Sequence, residues 1–227
     1  MAPRAQVAQL AVVLSLLLLL PAGVHDGGLT LTRPFTTLAA YFAFFGLGSV
    51  ARMVRHGPLA PRAADRQVAS WRDRLAFAAF VVVLPLLHWY GMYRYAALVL
   101  YTDTILPYST TLFDLIGGAG MVLAILLNWA ASRELGGAYD RVVAPAALIT
   151  TGPYRFVQHP IYTSYALLFV SYGLWLHSGL AAVAALAVCA LYYSRRTALE
   201  AEVLQAAFGS QYRDYASRTK RFVPLVL

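Results

Sequence analysis

Charged residues and cysteine are both scarce in this sequence, and each shortage excludes a class of protein. Only 12% of the 227 residues are charged, whereas 60% are hydrophobic and the mean hydropathy is +0.62. Soluble domains have about twice that share of charged residues, so a soluble globular fold is excluded. The single cysteine, Cys189, can form neither an internal disulfide nor a zinc cluster. The composition predicts an all-α protein that crosses a membrane several times.

Six apolar runs are candidates for these membrane helices. They span residues 7–24, 35–50, 75–92, 112–131, 161–176 and 180–193. The first four have about the length that a bilayer core requires. The last two are shorter and only three residues apart, which predicts a tight helical hairpin. The first run could also be a secretory signal, but it lacks a clear small-x-small cleavage site, so we expect a retained helix.

The positive charges are concentrated in loops that would share one side of the membrane. Residues 52–74 contain six arginines and two aspartates, which places this loop in the cytoplasm by the positive-inside rule. Threading the runs from there places both termini and residues 132–160 and 194–227 in the cytoplasm. The net charge of +8 would therefore meet anionic lipid headgroups. We expect no nucleic-acid partner.

The stretch from Gly152 to Tyr162 joins a polar loop to an apolar run. Pro160 fixes its own φ and pushes His159 out of the α region, so a helix is predicted to begin at Pro160. His159 would then lie at a helix mouth, where backbone N–H groups and the helix dipole favour an anionic group. The phenols of Tyr154 and Tyr162 could add hydrogen bonds. A helix start with aromatic anchors at the lipid headgroups is an equally open interpretation.

A second polar segment follows the last apolar run. Four apolar or aromatic residues recur there at helical spacing and predict a cytoplasmic amphipathic helix. They are Leu204, Phe208, Tyr212 and Tyr215. Arg196 and Glu200 are four residues apart on one helix face, where they could form a surface ion pair. Glu202 is turned away by about 200°, so Glu200 is the better site candidate.

Polar groups and glycines inside the apolar runs have simpler explanations. Gly117-Gly118-Ala119-Gly120 follows no strand, so close helix packing is expected instead of dinucleotide binding. Asp114 and Asn128 could line a cavity, although Asn128 would lie near the cytoplasmic end, where water is available. His88 is expected at the membrane interface.

The ordered features of residues 112–227 resemble the isoprenylcysteine carboxyl methyltransferase family and its phospholipid methyltransferase relatives. The features are Thr151-Gly152-Pro153-Tyr154, His159-Pro160-x-Tyr162, the apolar hairpin, Arg196-Thr197, Glu200, Leu204, Phe208-Gly209 and Tyr212. The resemblance implies that residues 112–227 form a methyltransferase-like membrane core and that residues 1–111 supply N-terminal membrane helices.

The resemblance also implies a site for S-adenosylmethionine (AdoMet), built without a Rossmann domain between the loop before the hairpin and the helix after it. The matching cofactor positions are Leu148, Ile149, Tyr154, His159, Pro160, Ile161, Tyr162 and Glu200. Arg196 matches an arginine tied to the acceptor substrate, and His159 would be the nearest base for an amine or hydroxyl acceptor. The implied acceptor is a membrane lipid or a prenylated group, and no metal is expected.

Two positions depart from the family pattern. The family usually has arginine before the His-Pro pair, where this chain has Gln158, and a second glutamate where it has Ala201. Arg155 could replace the missing arginine. The departures keep two alternatives open: a non-catalytic membrane protein that retains the fold for ligand binding or assembly, and a reductase that uses NADPH, as the distantly related sterol reductases do.

Overall fold

The computed structural model describes residues 12, 32–56, 70–101, 111–136 and 147–223, and every regular element in this part of the chain is helical. The helices are α1 (Thr32–Phe45), α2 (Ala51–His56), α3 (Trp71–Tyr101), α4 (Leu112–Leu135), α5 (Pro160–Trp175), α6 (Gly179–Phe208) and α7 (Ser210–Arg218). A π-helical turn, Gly46–Val50, joins α1 to α2, and a 3₁₀ turn, Gly152–Arg155, precedes α5. The all-helical prediction is confirmed for these residues, whereas the predicted first helix, apart from Val12, lies outside them.

Two of the described helices are long and apolar enough to cross a membrane: the Trp71–Tyr95 part of α3, and α4. Many of their large apolar side chains point outward, as lipid contact requires. Examples are Val82, Leu86, Leu115, Leu123 and Leu126. The inner faces pack against α1, α5 and α6.

Helices α5 and α6 form a hairpin through residues 176–178. Leu176 is fully buried, His177 adopts a positive φ of 55°, and the Ser178 hydroxyl caps α6 by accepting a hydrogen bond from the Ala181 N–H. Gly173 lies directly against the backbone of Ala182, because a Cβ atom on Gly173 would be only 2.6 Å from the Ala182 nitrogen. The two backbones are therefore in contact just before and after the turn.

The glycine cluster of α4 has the packing role that the sequence indicated. A Cβ atom on Gly117 would lie 2.7 Å from the Trp175 nitrogen of α5, whereas one on Gly118 would make an ordinary contact at 3.5 Å. Helix α4 packs more extensively against α5 than against its other neighbours. The prediction of close helix packing is confirmed.

A buried ionic cluster joins α1, α4 and the hairpin turn. Arg33 pairs with Asp114 and donates to the Trp175 carbonyl at 2.5 Å, while His177 Nε2 lies 3.0 Å from the Asp114 carboxylate. Asp114 also accepts a hydrogen bond from the Thr111 N–H, and the Thr111 hydroxyl accepts one from the Asp114 N–H, which forms the capping box of α4. Asp114 thus joins α1, α4 and the hairpin turn.

The expectation that His88 lies at the membrane interface is wrong. His88 is buried, its Nδ1 lies 2.6 Å from the Leu84 carbonyl, and its Nε2 contacts the Tyr41 hydroxyl. Its ring also packs on Tyr172 at 4.2 Å between centroids. The neighbouring Trp89 and Tyr90 are exposed, so these two aromatic residues lie on a different face of α3 from His88.

The predicted C-terminal amphipathic helix is instead divided between two elements. Leu204 and Phe208 belong to α6, which continues without a break from the last apolar run. Gly209, with a φ of 54°, ends α6, and α7 begins at Ser210. Glycine adopts this left-handed conformation without steric cost, so the chain turns there.

We expect Gly173→Ala to destabilise the protein, because the added methyl group would overlap the backbone of α6. Overpacking of this kind costs about 1–3 kcal/mol, or roughly 2–12 °C in Tm for a chain of this size. Thermal unfolding of the detergent-purified protein measures the change. Gly179→Ala is the matched control, because its Cβ would have nothing within 4 Å. Equal Tm values for the two variants would contradict the backbone contact.

We expect Arg33→Gln to destabilise the protein by about 3 kcal/mol, because it leaves the buried Asp114 carboxylate without its cation. The two side chains are 12% and 8% exposed. The control is Arg195→Gln, since Arg195 pairs with Asp73 at 3.1 Å but is 56% exposed, and such pairs contribute less than about 1 kcal/mol. Denaturant unfolding of both variants compares the two pairs, and similar losses would refute the distinction.

Candidate functional site

The candidate site begins where the loop before α5 turns into that helix. His159 has φ −129° and ψ 59°, outside the α region, and α5 starts at Pro160, as the sequence predicted. Pro160 is fully buried and His159 is 8% exposed. Upstream, the Thr151 hydroxyl donates a hydrogen bond of 2.8 Å to Glu134, which holds the loop against the end of α4. His159 therefore lies at a buried corner between this loop and α5.

Three donors converge on the Glu200 carboxylate. Arg196 Nε donates to Oε1 at 3.1 Å, the Tyr162 hydroxyl donates to the same oxygen, and His159 Nδ1 lies 3.5 Å from Oε2. The Glu200 side chain is 20% exposed. The structure thus brings together four of the predicted site residues, two from the start of α5 and two from α6.

The electrostatic balance keeps Glu200 ionised at neutral pH. It lies beyond the apolar part of α6, where burial raises the pKa of its carboxyl group. The hydrogen bond and charge of His159, the charge of Arg196 and the Tyr162 hydroxyl outweigh burial, so its pKa is lowered below the usual value. Glu200 is therefore a carboxylate held in place by donors.

Aromatic rings pack together next to this carboxylate. Tyr162, whose hydroxyl bonds Glu200, stacks on Tyr193 with 4.6 Å between centroids and 19° between planes, and His159 also stacks on Tyr162, at 5.7 Å. Phe222 lies 6.1 Å from the His159 ring. Sequence reasoning missed Tyr193 and Phe222. The spacing of Tyr193 from Glu200, two helical turns along α6, could have revealed the first, whereas nothing local to Phe222 indicates its position.

Beside the carboxylate is a small apolar cluster. Tyr154 and Ile161 are buried with Ala131 of α4, and Ile149 and Tyr162 pack against them. Four of the residues predicted to contact a cofactor thus meet at one place. Leu148 is half-buried and, among the described contacts, is not part of this cluster.

The two backbone N–H groups just before the helix start are hydrogen-bonded within the protein. The Gln158 N–H donates to the Lys220 carbonyl at 2.7 Å, and the His159 N–H donates to the Arg221 carbonyl at 3.0 Å. Arg155, proposed as a substitute for the arginine missing at position 158, is exposed and lies over the Phe156 ring at 5.0 Å.

Together these residues form a fixed carboxylate beside π faces and apolar surface. A carboxylate accepts hydrogen bonds from ammonium and hydroxyl groups, and aromatic faces attract cations. The site is thus suited to a ligand that combines a positive charge, hydroxyl groups and an apolar part.

The candidate site lies in a part of the chain that matches a known protein family. Residues 113–211 match the phospholipid methyltransferase family, and every predicted site residue lies within them. Protein-S-isoprenylcysteine O-methyltransferase B of Arabidopsis thaliana is 32% identical over 79 residues, which are 35% of this chain and 40% of that protein. The match thus spans well under half of this relative.

A solved structure shares the fold more broadly. It is that of a eukaryotic intramembrane Ras methyltransferase, an isoprenylcysteine carboxyl methyltransferase, without a monobody. Its TM-score is 0.62 and its sequence identity 17%, and the superposition covers 94% of this chain and 74% of that one. The sequence segment and the fold agree: residues 113–211, a little under half of this chain, match the phospholipid methyltransferase family, and the fold resembles that of the isoprenylcysteine carboxyl methyltransferase structure.

Proposed function

We propose that this chain is an integral membrane methyltransferase that uses AdoMet to methylate a lipid or a prenylated acceptor at the cytoplasmic face of the membrane. The observation that carries the proposal is the convergence of His159, Tyr162 and Arg196 on Glu200 inside the segment that matches the family. The relatives act, by their names, on isoprenylcysteine or on phospholipid, and both are acceptors held in a membrane.

The residues around Glu200 fit the groups of AdoMet. Glu200 would accept hydrogen bonds from the cofactor's ammonium group or its ribose hydroxyls. The stacked rings of Tyr162 and Tyr193 offer π faces to a sulfonium, and Ile149 and Ile161 offer apolar surface to adenine. When bound, AdoMet would supply the methyl group.

The acceptor would approach from the side of Arg196. Methyl transfer is an in-line displacement, so holding the nucleophile close to the methyl carbon can supply much of the rate enhancement. The Arg196 guanidinium is fixed on Glu200 and would attract a carboxylate acceptor, which needs no base. An amine or hydroxyl acceptor would need to lose a proton.

His159 is oriented to take such a proton. Its Nδ1 faces Glu200, so we assign the imidazole proton of the neutral form to Nδ1. Nε2 is then the basic nitrogen, available to a nucleophile on the other edge of the ring. The same contact fixes the orientation of the ring, as carboxylates do for catalytic histidines.

We expect Glu200→Gln to weaken AdoMet binding about 10- to 100-fold, because hydrogen bonds to a charged acceptor are worth about 1.5–3 kcal/mol. Glu202→Gln is the matched control, since Glu202 is exposed and two positions along the same helix. Calorimetric titration of the detergent-purified protein measures both, with thermal unfolding as the check on folding. Unchanged affinity in a folded Glu200→Gln variant would reject this site.

The same titration separates the proposal from its alternatives. Saturable binding of NADPH in place of AdoMet would make the protein a reductase. Binding of neither, with or without lipid acceptors in the detergent, would favour a non-catalytic membrane protein.

Two substitutions at Tyr162 distinguish the contribution of its hydroxyl to AdoMet binding from that of its ring. Tyr162→Phe removes the hydrogen bond to Glu200 but keeps the stack on Tyr193, so we expect AdoMet affinity to fall only about 3- to 10-fold. Tyr162→Leu also removes the π face, and we expect a further loss of about 3-fold or more. Equal affinities of the two variants would show that the ring has no role in cofactor binding.

A further inference from the structure

The C-terminal segment, defined as residues 219–223, runs beside the loop that carries His159. Val157 and Lys220 form a parallel β-bridge, and the bonds from the Gln158 and His159 N–H groups to the carbonyls of this segment extend the pairing to the helix start. The Thr163 hydroxyl on the first turn of α5 then donates to the Phe222 carbonyl at 2.8 Å. The C-terminal segment is thus joined to both sides of His159.

The side chain of Gln158 forms hydrogen bonds with α7 and with the C-terminal segment. Its Nε2 donates to the Thr219 carbonyl at 2.9 Å and lies 3.4 Å from the Ala216 carbonyl at the end of α7. Its Oε1 lies 3.5 Å from the Tyr212 hydroxyl. The amide therefore spans the junction between α7 and the C-terminal segment, using both its donor and its acceptor end.

Helix α7 is tied to the same loop independently of Gln158. The Tyr215 hydroxyl donates to the Tyr154 carbonyl at 2.7 Å. Burial raises the pKa of Tyr215 to about 12, so the hydroxyl keeps its proton at neutral pH. This second tie means that the loss of the Gln158 amide should loosen the C-terminal segment without detaching α7.

The position of the C-terminal segment affects the orientation of His159. Its backbone is bonded to Arg221, its ring packs near those of Tyr162 and Phe222, and its Nδ1 lies towards Glu200. If the C-terminal segment moved away, His159 would lose the hydrogen bond from its backbone N–H to Arg221, and its imidazole would lose the neighbouring Phe222 ring. Its orientation towards Glu200 would then be less well defined.

We propose that Gln158 is a positioning residue: by fastening the C-terminal segment to the loop, it fixes the imidazole of His159 against Glu200 in the AdoMet site. The inference rests on the proposed function. Gln158 acts through the C-terminal segment and needs no contact with the cofactor. It also gives position 158 a role that neither Arg155 nor an apolar side chain could perform, since the amide both donates and accepts.

The test compares Gln158→Met with Gln205→Met in the full chain. Methionine keeps the length of the side chain and loses its hydrogen bonds. Gln205 is a matched control because its Nε2 also donates to a backbone carbonyl, that of Gly209, at 3.2 Å and away from His159. Two quantities are measured on each folded variant. The first is hydrogen exchange of the backbone N–H groups of residues 158 and 159, and the second is AdoMet affinity by calorimetry.

We expect Gln158→Met to speed exchange of both amides and to weaken AdoMet binding about three- to tenfold, with the control unchanged. Faster exchange with unchanged AdoMet affinity would overturn the inference, because the C-terminal segment would then not position the site. So would unchanged exchange. If the wild-type protein binds no AdoMet, the proposed function itself fails, and the inference falls with it.

A second variant covers the case in which Gln158→Met does not fold. Phe222→Leu keeps an apolar side chain in the C-terminal segment but removes the ring beside His159. The inference requires a similar three- to tenfold loss of AdoMet affinity in this variant. Wild-type affinity would overturn it.

Discussion

The site depends on the close approach of Gly173 to Ala182, which fixes the register of the hairpin formed by α5 and α6. Gly173 and Tyr162 are eleven residues apart, and so are Ala182 and Tyr193, so a contact beside the turn places the two tyrosine rings opposite each other at its open end. One helical turn beyond Tyr193, the chain presents Arg196, and after another turn Glu200. A shift of the register by one residue would rotate these side chains by about 100° and disperse the site.

Two groups of paired charges, one around Asp114 and one around Glu200, have different surroundings. At one end of the bundle the Arg33 guanidinium is paired with Asp114 and lies over the rings of Tyr95 and Trp175, where it fastens helices together. At the other end Glu200 is 20% exposed, and its partners His159 and Arg196 are 8% and 19% exposed, so the carboxylate is more accessible than that of Asp114, which is 8% exposed. Buried charges must be paired in both cases, but only the second set is arranged around an accessible carboxylate.

The site also reaches beyond the segment that matches the family. Residues 113–211 contain the carboxylate, the tyrosines and the histidine, whereas Phe222 and the carbonyls bonded to Gln158 and His159 lie after them. The histidine is therefore held by two kinds of constraint. Pro160 fixes its backbone locally, and a strand-like pairing with the distant C-terminal segment fixes it from outside. The Gln158 amide belongs to the second constraint, because it donates to the Thr219 carbonyl of the C-terminal segment.

The sequence by itself determined the features that depend on local geometry. The ring of Pro160 dictates where α5 begins, the spacing of Arg196, Glu200 and Glu202 dictates which acid faces the arginine, and small residues predict close helix packing. Tertiary structure decided what depends on which faces meet: the burial of His88, the turn at Gly209, and the positions of Tyr193 and Phe222. Tertiary structure also decided that the His159 N–H donates a hydrogen bond to the Arg221 carbonyl. Proline geometry and helical spacing act over one or two turns and can be read from neighbouring residues, whereas a bond between residues about sixty positions apart exists only after the helices have packed.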